Sequence, residues 1–580
     1  MNHYLSIVLG PLYKTILQAR STREIWAASY LFSILMREIL DAAQAQGLTN
    51  LLSPEKLPSS AHRFGAGIYP DKAFWLLNDK DDYNKLATIK NQALNALEAK
   101  TGIKAFILEK AIRLYGVLYS AAATEPMPAM VELNKRIDIL ELQEKISVQS
   151  PEILWDDIIG NIQKLYDDGH PADESGIFIE YNCLGANMRR LPSIIEIATR
   201  DLRYISNEQL PPAVYDDLVT LPISNDVCKL IEIGANRRSY NEKEEKTQDN
   251  IVKELKSAYN TAFRFRHKYV AFILADGDNM GAALKAIGNN PANISAFSKE
   301  LSAFTLSATK LIVQYGGIPI YAGGDDLLFA LPLANTNRET LPTAGQNLFE
   351  LILKIDAAFP LSTFNSLTNN TVTPSMSYGI SVGYYKHPMD SLLDDCHTAL
   401  YKAKDMAGKH AVAFLVKKHS GQLFSGCLPI GLAYSGFLNM LKEFRNFNDD
   451  AFLASVMFKL APLEKLVVDA LLHESTKFFF ENQFNEKAHQ SKFNDYLKAS
   501  RELMANVFEE CKAVFLRKLE TENATLELNF KAGGFTEPEI NNLKQDGVLN
   551  NASFAASHYA ARQLYGCMRF IQFINQKDHE

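Results

Sequence analysis

The segment that most constrains the fold is residues 318–331, IPIYAGGDDLLFAL. Two short runs of strand-forming residues flank Gly323 and Gly324, which is typical of a β-hairpin. Asp325 and Asp326 follow at the tip, where two adjacent carboxylates repel each other. A bound Mg²⁺ would relieve that repulsion, because it takes oxygen ligands from one or two carboxylates and from substrate phosphates. Gly and Asp are also ordinary turn residues, so this segment alone leaves a solvated turn equally open.

A second acidic motif lies upstream, in the sequence YVAFILADGDNMG of residues 269–281. The apolar run 270–275 predicts a buried strand that ends at Asp276, Gly277 and Asp278. Open α/β sheets place their functional sites at the carboxyl ends of such strands. The motif therefore predicts a second group of carboxylates at a sheet edge.

The segment between the two motifs, residues 294–314, has apolar residues at helical spacing. Strand, helix and hairpin follow one another as in a ferredoxin-like unit, in which the first strand lies beside the hairpin. Asp276 and Asp325 would then share a cation, although they are far apart in sequence. Gly323 and Gly324 have no side chains and would let a nucleotide approach the backbone. The two motifs together favour a metal-dependent phosphate site over a solvated turn.

The GGDD hairpin, preceded by ADGDNMG, resembles the palm of the nucleotide polymerase and cyclase superfamily, which includes the GGDEF cyclases. Within this superfamily the chain is similar to the Cas-ten family, and most of all to its Cmr-type branch. That branch supplies the large subunit of type III-B CRISPR effector complexes. The resemblance implies an α/β (α+β) fold with two ferredoxin-like palm domains and a helical C-terminal domain.

The resemblance also implies a two-metal site, with Mg²⁺ or Mn²⁺ held by Asp276, Asp325, the Gly277 carbonyl and Asp278. It implies that Asp326 is catalytic and that ATP is the substrate of a nucleotidyl transfer. In the family, target RNA bound to guide RNA activates this reaction within a complex of several subunits. The product is a second messenger of antiviral defence, usually cyclic oligoadenylate. Some Cmr-type relatives instead join AMP to S-adenosylmethionine, and the sequence leaves this alternative open.

Residues 399–416, ALYKAKDMAGKHAVAFLV, are similar to the closing helix and strand of GGDEF-type palms. In those palms a helical Lys and a basic residue beyond the following Gly contact the triphosphate. The resemblance assigns Lys404 and Lys409 to nucleotide binding, with a one-residue insertion between them relative to the cyclases. From the residues alone, a Lys near a helix C-terminus complements the helix dipole, with Gly408 as the cap.

The N-terminal region predicts a strand in residues 3–9 and one long helix that continues to Ala43. Its sequence QARSTREIWAASYLFS resembles the opening of Cmr-type proteins. Arg20 and Arg23, three positions apart, would lie on one helix face and could hold a phosphate. A solvated helix flank explains the same two residues.

The chain has 580 residues, enough for several domains. Both the residue patterns and the resemblance set the expected boundaries. We expect a first, inactive palm over 1–150, a degenerate zinc-finger-like insert over 151–235, a charged linker over 236–250, the catalytic palm over 251–420 and a helical domain over 421–580.

Two activities of related proteins are not expected here. The six cysteines lie far apart without a CxxC pair, and only Cys183 stands where the family has a zinc-binding cluster. We therefore expect no zinc. No histidine is followed by aspartate, so the His-Asp pair of the family's HD nuclease is missing and no DNase activity is expected.

The net charge of −7 indicates that any RNA contact is local or made through partner subunits. The longest mostly apolar run, residues 25–36, is too short to span a bilayer, and no signal peptide is expected. These features predict a cytoplasmic chain without membrane contact. Two rival functions are a non-catalytic scaffold and a free-standing diguanylate cyclase. The presence of every acid argues against the first, and GGDD in place of GGDEF argues against the second.

Overall fold

A computed structural model describes most of the chain. The residues outside the description are 11, 18, 20, 59–64, 122–125, 143–161, 163–164, 167–177, 184–185, 206–214, 216–248, 261, 289, 407–408, 445–463, 484–492, 533–547, 577 and 579–580. The chain divides into two compact units. The first comprises Met1–Phe263, His267–Met376 and Tyr385–Asp394, and the second comprises Arg264–Arg266, Ser377–Tyr384 and Asp395–Glu580.

The first half of unit 1 is a ferredoxin-like domain. Its antiparallel sheet has the strand order β2-β3-β1-β4, which is the ferredoxin-like order for four consecutive strands. The elements in chain order are β1 (Asn2–Gly10), α1 (Leu12–Leu17), α2 (Thr22–Ala45), β2 (Leu51–Ser53), β3 (Lys72–Leu77), α3 (Leu86–Thr101), α4 (Ala105–Ala111), β4 (Arg113–Ala121), α5 (Pro126–Leu142), β5 (Ile179–Cys183), β6 (Ala186–Arg190) and α6 (Ile194–Thr199). Helix α5 packs on β1 and β4 through Leu133 and Ile137, which meet Tyr4 and Val8 in one apolar cluster.

The predicted single N-terminal helix is wrong, because the chain forms two helices. The Ser21 hydroxyl accepts a hydrogen bond from the Glu24 N–H and so caps a new helix that begins at Thr22. Arg20 lies outside the described residues and precedes this cap, whereas Arg23 is inside α2. The prediction that Arg20 and Arg23 share one helix face depends on a residue outside the description and stays a prediction.

The second half of unit 1 repeats the strand–helix–hairpin order. Its elements are β7 (Tyr269–Asp278), α7 (Met280–Ile287), α8 (Pro291–Tyr315), β8 (Ile318–Gly323), β9 (Asp326–Leu331), α9 (Leu341–Ala344), α10 (Leu348–Ala358) and α11 (Leu361–Leu367). A further helix covers 249–259. Strand β9 lies between β7 and β8 and is antiparallel to both. Residues Tyr269 to Ile273 of β7 are fully buried, as expected for a continuous apolar run in a sheet covered on both faces.

Unit 2 combines strands with the C-terminal helices. Strand β10 (Ser375–Tyr384) is parallel to β11 (Ala411–Lys417), which is antiparallel to β12 (Leu423–Pro429), and α12 (Met389–Met406) connects β10 to β11. The helices that follow are α13 (Leu432–Glu443), α14 (Glu464–Leu472), α15 (Thr476–Gln483), α16 (Phe493–Ala532) and α17 (Val548–Asn575). Helix α17 packs on α16 and β12.

The predicted α/β (α+β) class with ferredoxin-like palms and a helical C-terminal region is confirmed. Most of the predicted insert, and residues 236–248 of the predicted linker, lie outside the described residues. Within the described part of the chain, none of the helices could span a bilayer.

Candidate functional site at the acidic hairpin

The turn of the β8–β9 hairpin is two residues long. Gly323 pairs with Asp326, so Gly324 and Asp325 form the turn between them. Gly324 has φ +84°, whereas Asp325 has no positive φ. This combination is that of a type II′ turn, which needs glycine at its first central position. The second glycine of the motif is therefore required by the backbone, and nothing lies within 4 Å of the position that a Cβ atom of Gly324 would take.

Gly323, the other glycine of the motif, is required for a different reason. Tyr321 lies two positions before Gly323 and hence on the same strand face. Its hydroxyl and ring occupy the space that a Cβ atom of Gly323 would need. The open space predicted for a nucleotide is thus found beside Gly324, while Tyr321 fills the space beside Gly323. The nucleotide-binding roles of both glycines stay predictions.

Three carboxylates meet where β7 ends beside the hairpin. Ala275 of β7 is paired with Leu327 of β9, which brings Asp276 next to Asp326. The protonated Asp326 carboxyl can donate a hydrogen bond to Asp276. Asp325 packs against the backbone of Gly277, since a Cβ atom at Gly277 would lie 2.5 Å from Asp325 Oδ2. The structure thus gathers the acids of the two sequence motifs.

Asp278, the last residue of β7, has a separate environment. Its side chain is 1% exposed, and the Ser375 hydroxyl donates a hydrogen bond of 3.0 Å to Asp278 Oδ2. Sequence analysis gave Ser375 no role beyond the start of a strand. This bond gives one of the buried Asp278 carboxylate oxygens a hydrogen-bond partner.

The Asp326 carboxyl is electrostatically strained. Loss of water around the group, and then the negative charges of Asp325 and Asp276, raise the pKa of Asp326 well above its ordinary value. The Asp326 side chain is still exposed to solvent. Because the side chain is exposed, repulsion among the carboxylates explains the raised pKa of Asp326 better than burial does. A cation bound among them would remove this repulsion.

The N-terminal domain supports the hairpin from its outer edge. The Gly67 N–H donates to the Ile320 carbonyl at 3.3 Å, and the Ala322 N–H donates to the Gly67 carbonyl at 2.8 Å. These bonds extend β8 by one parallel bridge. A Cβ atom at Gly67 would collide with Ser29 of α2, so only glycine allows this approach. The predicted inactive palm thus takes part in holding the acidic hairpin.

The same N-terminal segment brings a further acid to the site. The charge of Asp71 contributes to the raised pKa of Asp326. Burial, and then the charges of Asp71, Asp326 and Asp325, raise the pKa of the Tyr321 hydroxyl well above its ordinary value. Sequence analysis missed Asp71, because no motif surrounds it and its neighbours at the site are distant in sequence.

Thr305 of α8 is another residue that sequence analysis missed. Its hydroxyl accepts a hydrogen bond from the Gly324 N–H and donates one to the Gly324 carbonyl, both at 3.2 Å. The only signal in the sequence is a polar residue next to Phe304, on the face of α8 that the apolar pattern predicts to be buried.

The donor set fits a divalent cation that is completed by its substrate. Among the described residues, no three Asp, Glu, His or Cys side chains are grouped closely enough to hold a metal by themselves. Mg²⁺ needs only one or two carboxylates, because water and substrate phosphates supply its other ligands. Asp276 and Asp325, which both lie beside Asp326, would meet this requirement. The metal-binding roles of Asp276, Gly277, Asp278 and Asp325 stay predictions.

The two predicted phosphate-binding lysines belong to unit 2, whereas the carboxylates belong to unit 1. Lys404 is half-buried in the last turn of α12. Lys409 is exposed and has φ +72°. Gly408, the predicted helix cap, lies outside the described residues. The roles of Lys404 and Lys409 stay predictions.

Comparison with known families gives two matches. Residues 269–413 match the family described as Cas10/Cmr2, second palm domain. Residues 4–115 match the family described as CRISPR-associated protein Cmr2, N-terminal. Both matches are to domains of the Cas10/Cmr2 family. This is the Cas-ten family that the GGDD and DGDNMG motifs indicated, and both acidic motifs lie inside the matched second palm.

A curated relative is the CRISPR system Cmr subunit Cmr2 of Pyrococcus furiosus, which is 27% identical over 223 residues. The match covers 33% of this chain and 24% of the relative, so it spans about a quarter of the relative's length.

Similar solved structures include type III-B Cmr-beta bound to cognate target RNA, with 12% identity, 86% of this chain and 78% of that chain covered, and a TM-score of 0.47. The apo state of Cmr-beta gives 12% identity, coverage of 86% and 77%, and a TM-score of 0.45. The Csm1–Csm4 cassette in complex with cA4 gives 12% identity, coverage of 87% and 70%, and a TM-score of 0.45.

Proposed function

We propose that this protein is a nucleotidyltransferase that uses ATP at the acidic hairpin to make a signalling nucleotide. The observation that carries the proposal is the meeting of Asp276, Asp325 and Asp326 at the end of β7, beside open space at Gly324. Carboxylates in such a cluster repel one another unless a cation lies among them. The match of residues 269–413 to the Cas10/Cmr2 second palm family supports the same assignment.

The chain's own residues supply positioning and proton transfer. Asp276 and Asp325 would hold Mg²⁺ or Mn²⁺, with the Gly277 carbonyl and Asp278 as further candidate ligands. When bound, such ions align the attacking hydroxyl with the α-phosphate and neutralise the pyrophosphate that leaves. Asp326 has a raised pKa, which suits a group that accepts the proton of an attacking 3′-hydroxyl. Gly324 leaves room for the nucleotide, and Lys404 and Lys409 would contact its outer phosphates.

The proposed context is a type III-B CRISPR effector complex. The relative from Pyrococcus furiosus is named as a Cmr subunit of a CRISPR system. We propose that the other subunits, guide RNA and target RNA are the partners of this chain, and that target RNA activates the reaction. Cyclic oligoadenylate is the proposed product. Adenylation of S-adenosylmethionine would use the same carboxylates and differ only in the acceptor.

The test is mass spectrometry of the products that the purified complex forms from ATP, with and without S-adenosylmethionine and target RNA. The wild-type complex should form an adenylate oligomer only when target RNA is present. The double variant Asp325→Ala/Asp326→Ala should form none while retaining its subunits, as judged by native mass. Normal synthesis by the double variant would remove the acidic hairpin from the reaction, and a product that requires S-adenosylmethionine would identify the alternative acceptor.

A further inference from the structure

The hydroxyl of Thr305 makes two hydrogen bonds to one residue of the acidic turn. It accepts from the Gly324 N–H and donates to the Gly324 carbonyl, at 3.2 Å in each case. Thr305 itself is 1% exposed, so water does not compete for either bond. A single buried hydroxyl therefore satisfies both backbone polar groups of the residue that precedes Asp325.

This contact matters because Gly324 has little else to hold it. No atom lies within 4 Å of the place where its Cβ would be, so side-chain packing does not fix this residue. Its φ of +84° lies in a region of backbone conformation that glycine adopts, and changes from, with little cost in energy. The Gly324 carbonyl belongs to the peptide group that leads into Asp325. A hydrogen-bond donor that fixes the orientation of this peptide group therefore also fixes the direction of the Asp325 Cα–Cβ bond.

The Asp325 side chain is closely packed against the end of β7. Its Oδ2 and Cβ lie 2.5 Å and 2.8 Å from the position of a Cβ atom on Gly277, which is close contact with the end of β7. A rotation of the Gly324–Asp325 peptide would carry the carboxylate away from Asp276 and Asp326. The position of the carboxylate is thus set by Gly277 on one side and by Thr305 through Gly324 on the other.

We propose that Thr305 is a positioning residue, which holds the tip of the hairpin so that Asp325 is directed at the cation site. The use of that site for nucleotide synthesis rests on the proposed function, but cation binding can be measured without it. Thr305 would act on the site through the Gly324 backbone, to which its hydroxyl is bonded, and not as a ligand of the cation.

Helix α8 supplies a matched control one turn away. Thr309 is fully buried, and its hydroxyl donates to the Thr305 carbonyl at 2.7 Å within the same helix. Replacement of either threonine by valine removes a buried hydroxyl and keeps the shape of the side chain. Only the change at Thr305 removes a bond to the hairpin, so the pair separates a positioning effect from a general loss of stability.

The experiment measures Mn²⁺ binding to the full-length chain by electron paramagnetic resonance, in wild type and in the variants Thr305→Val, Thr305→Ser and Thr309→Val. Thr305→Val should raise the dissociation constant for Mn²⁺ about tenfold, which is about 1.4 kcal/mol, because it removes both hydrogen bonds that hold Gly324. Thr305→Ser keeps the hydroxyl and should bind Mn²⁺ within about twofold of wild type. Thr309→Val should bind Mn²⁺ like wild type, although it also lacks a buried hydroxyl and its melting temperature should fall below that of wild type.

Three results would overturn the proposal. These are wild-type Mn²⁺ affinity in Thr305→Val, an equal loss of affinity in Thr309→Val, and a loss in Thr305→Ser as large as that in Thr305→Val. If Thr305→Val does not fold, Thr305→Ala, which also lacks the hydroxyl, takes its place in the same three comparisons. Mn²⁺ binding that depends on Thr305, in a complex that forms no nucleotide product, would support the positioning role and refute the proposed function alone.

Discussion

Replacement of Gly277 by alanine tests whether the position of Asp325 controls activity. A Cβ atom at this position would lie 2.5 Å from Asp325 Oδ2, 2.6 Å from Met280 Cγ and 2.8 Å from Asp325 Cβ. Ordinary van der Waals contact begins near 3.4 Å, so the Asp325 side chain must move by roughly 0.6–0.9 Å. Misplacement of a reacting group by about 1 Å can cost about 100-fold in rate. We expect Gly277→Ala to lose about 30- to 100-fold in kcat, and about 1–3 kcal/mol in stability from overpacking.

The assay is the initial rate of product formation in the RNA-activated complex, with the melting temperature measured in parallel. Gly281→Ala is the matched control, because Gly281 lies in α7 and nothing surrounds the position of its Cβ. That variant should keep wild-type activity and gain up to about 1 kcal/mol from helix propensity. If Gly277→Ala retains more than half of the wild-type rate at saturating metal, the close contact with Asp325 does not position a catalytic group.

Three further predictions concern charge, packing and phosphate binding. Asp326 has a raised pKa in the folded state, so ionising it costs stability in the wild-type protein. This loss begins as pH rises past the ordinary aspartate pKa of about 4 and continues until pH passes the folded-state pKa. Asp326→Asn removes the acid and with it this loss. Without divalent metal, the variant's advantage in melting temperature should therefore grow with pH in this window, and an advantage that does not change with pH would contradict the assigned repulsion. Gly379→Ala places a methyl group onto the backbone of α12 and should cost about 3 kcal/mol in urea unfolding, whereas an unchanged midpoint would contradict this packing. Asp276→Ala should abolish kcat, whereas Lys409→Ala should mainly raise KM for ATP, by about ten- to a hundredfold for a charge-assisted contact, and an unchanged KM would remove Lys409 from the site.

The sequence predicts the second palm well because its signals are local. The apolar run before Asp276 and the strand-forming residues around Gly324 each determine one element, and the order strand, helix, hairpin determines how these elements pair. The predicted helix over 294–314 is confirmed as α8. Because β7 pairs with β9, the acids of the two motifs come together without any further information.

The parts that sequence analysis missed depend on contacts between distant segments. Asp71 reaches the site only because the segment around Gly67 pairs with the edge of β8, and neither segment contains a pattern that specifies the other. In the sequence, Thr305 has no feature that distinguishes it from other buried residues of α8. Its role depends on its hydrogen bonds to Gly324 at the hairpin tip. The error at the N-terminus has a local cause, since Ser21 was not recognised as a helix cap within a pattern that otherwise continues through it.

The central claim is that the acidic hairpin transfers a nucleotidyl group. The most direct measurement supplies the RNA-activated complex with ATP labelled at the α-phosphate or at the γ-phosphate, and follows both labels in wild type and in Asp325→Ala/Asp326→Ala. Nucleotidyl transfer predicts that the α label enters a larger product, that the γ label leaves as pyrophosphate, and that the double variant does neither. Release of the γ label as inorganic phosphate without incorporation of the α label, or unchanged incorporation in the double variant, would contradict the claim.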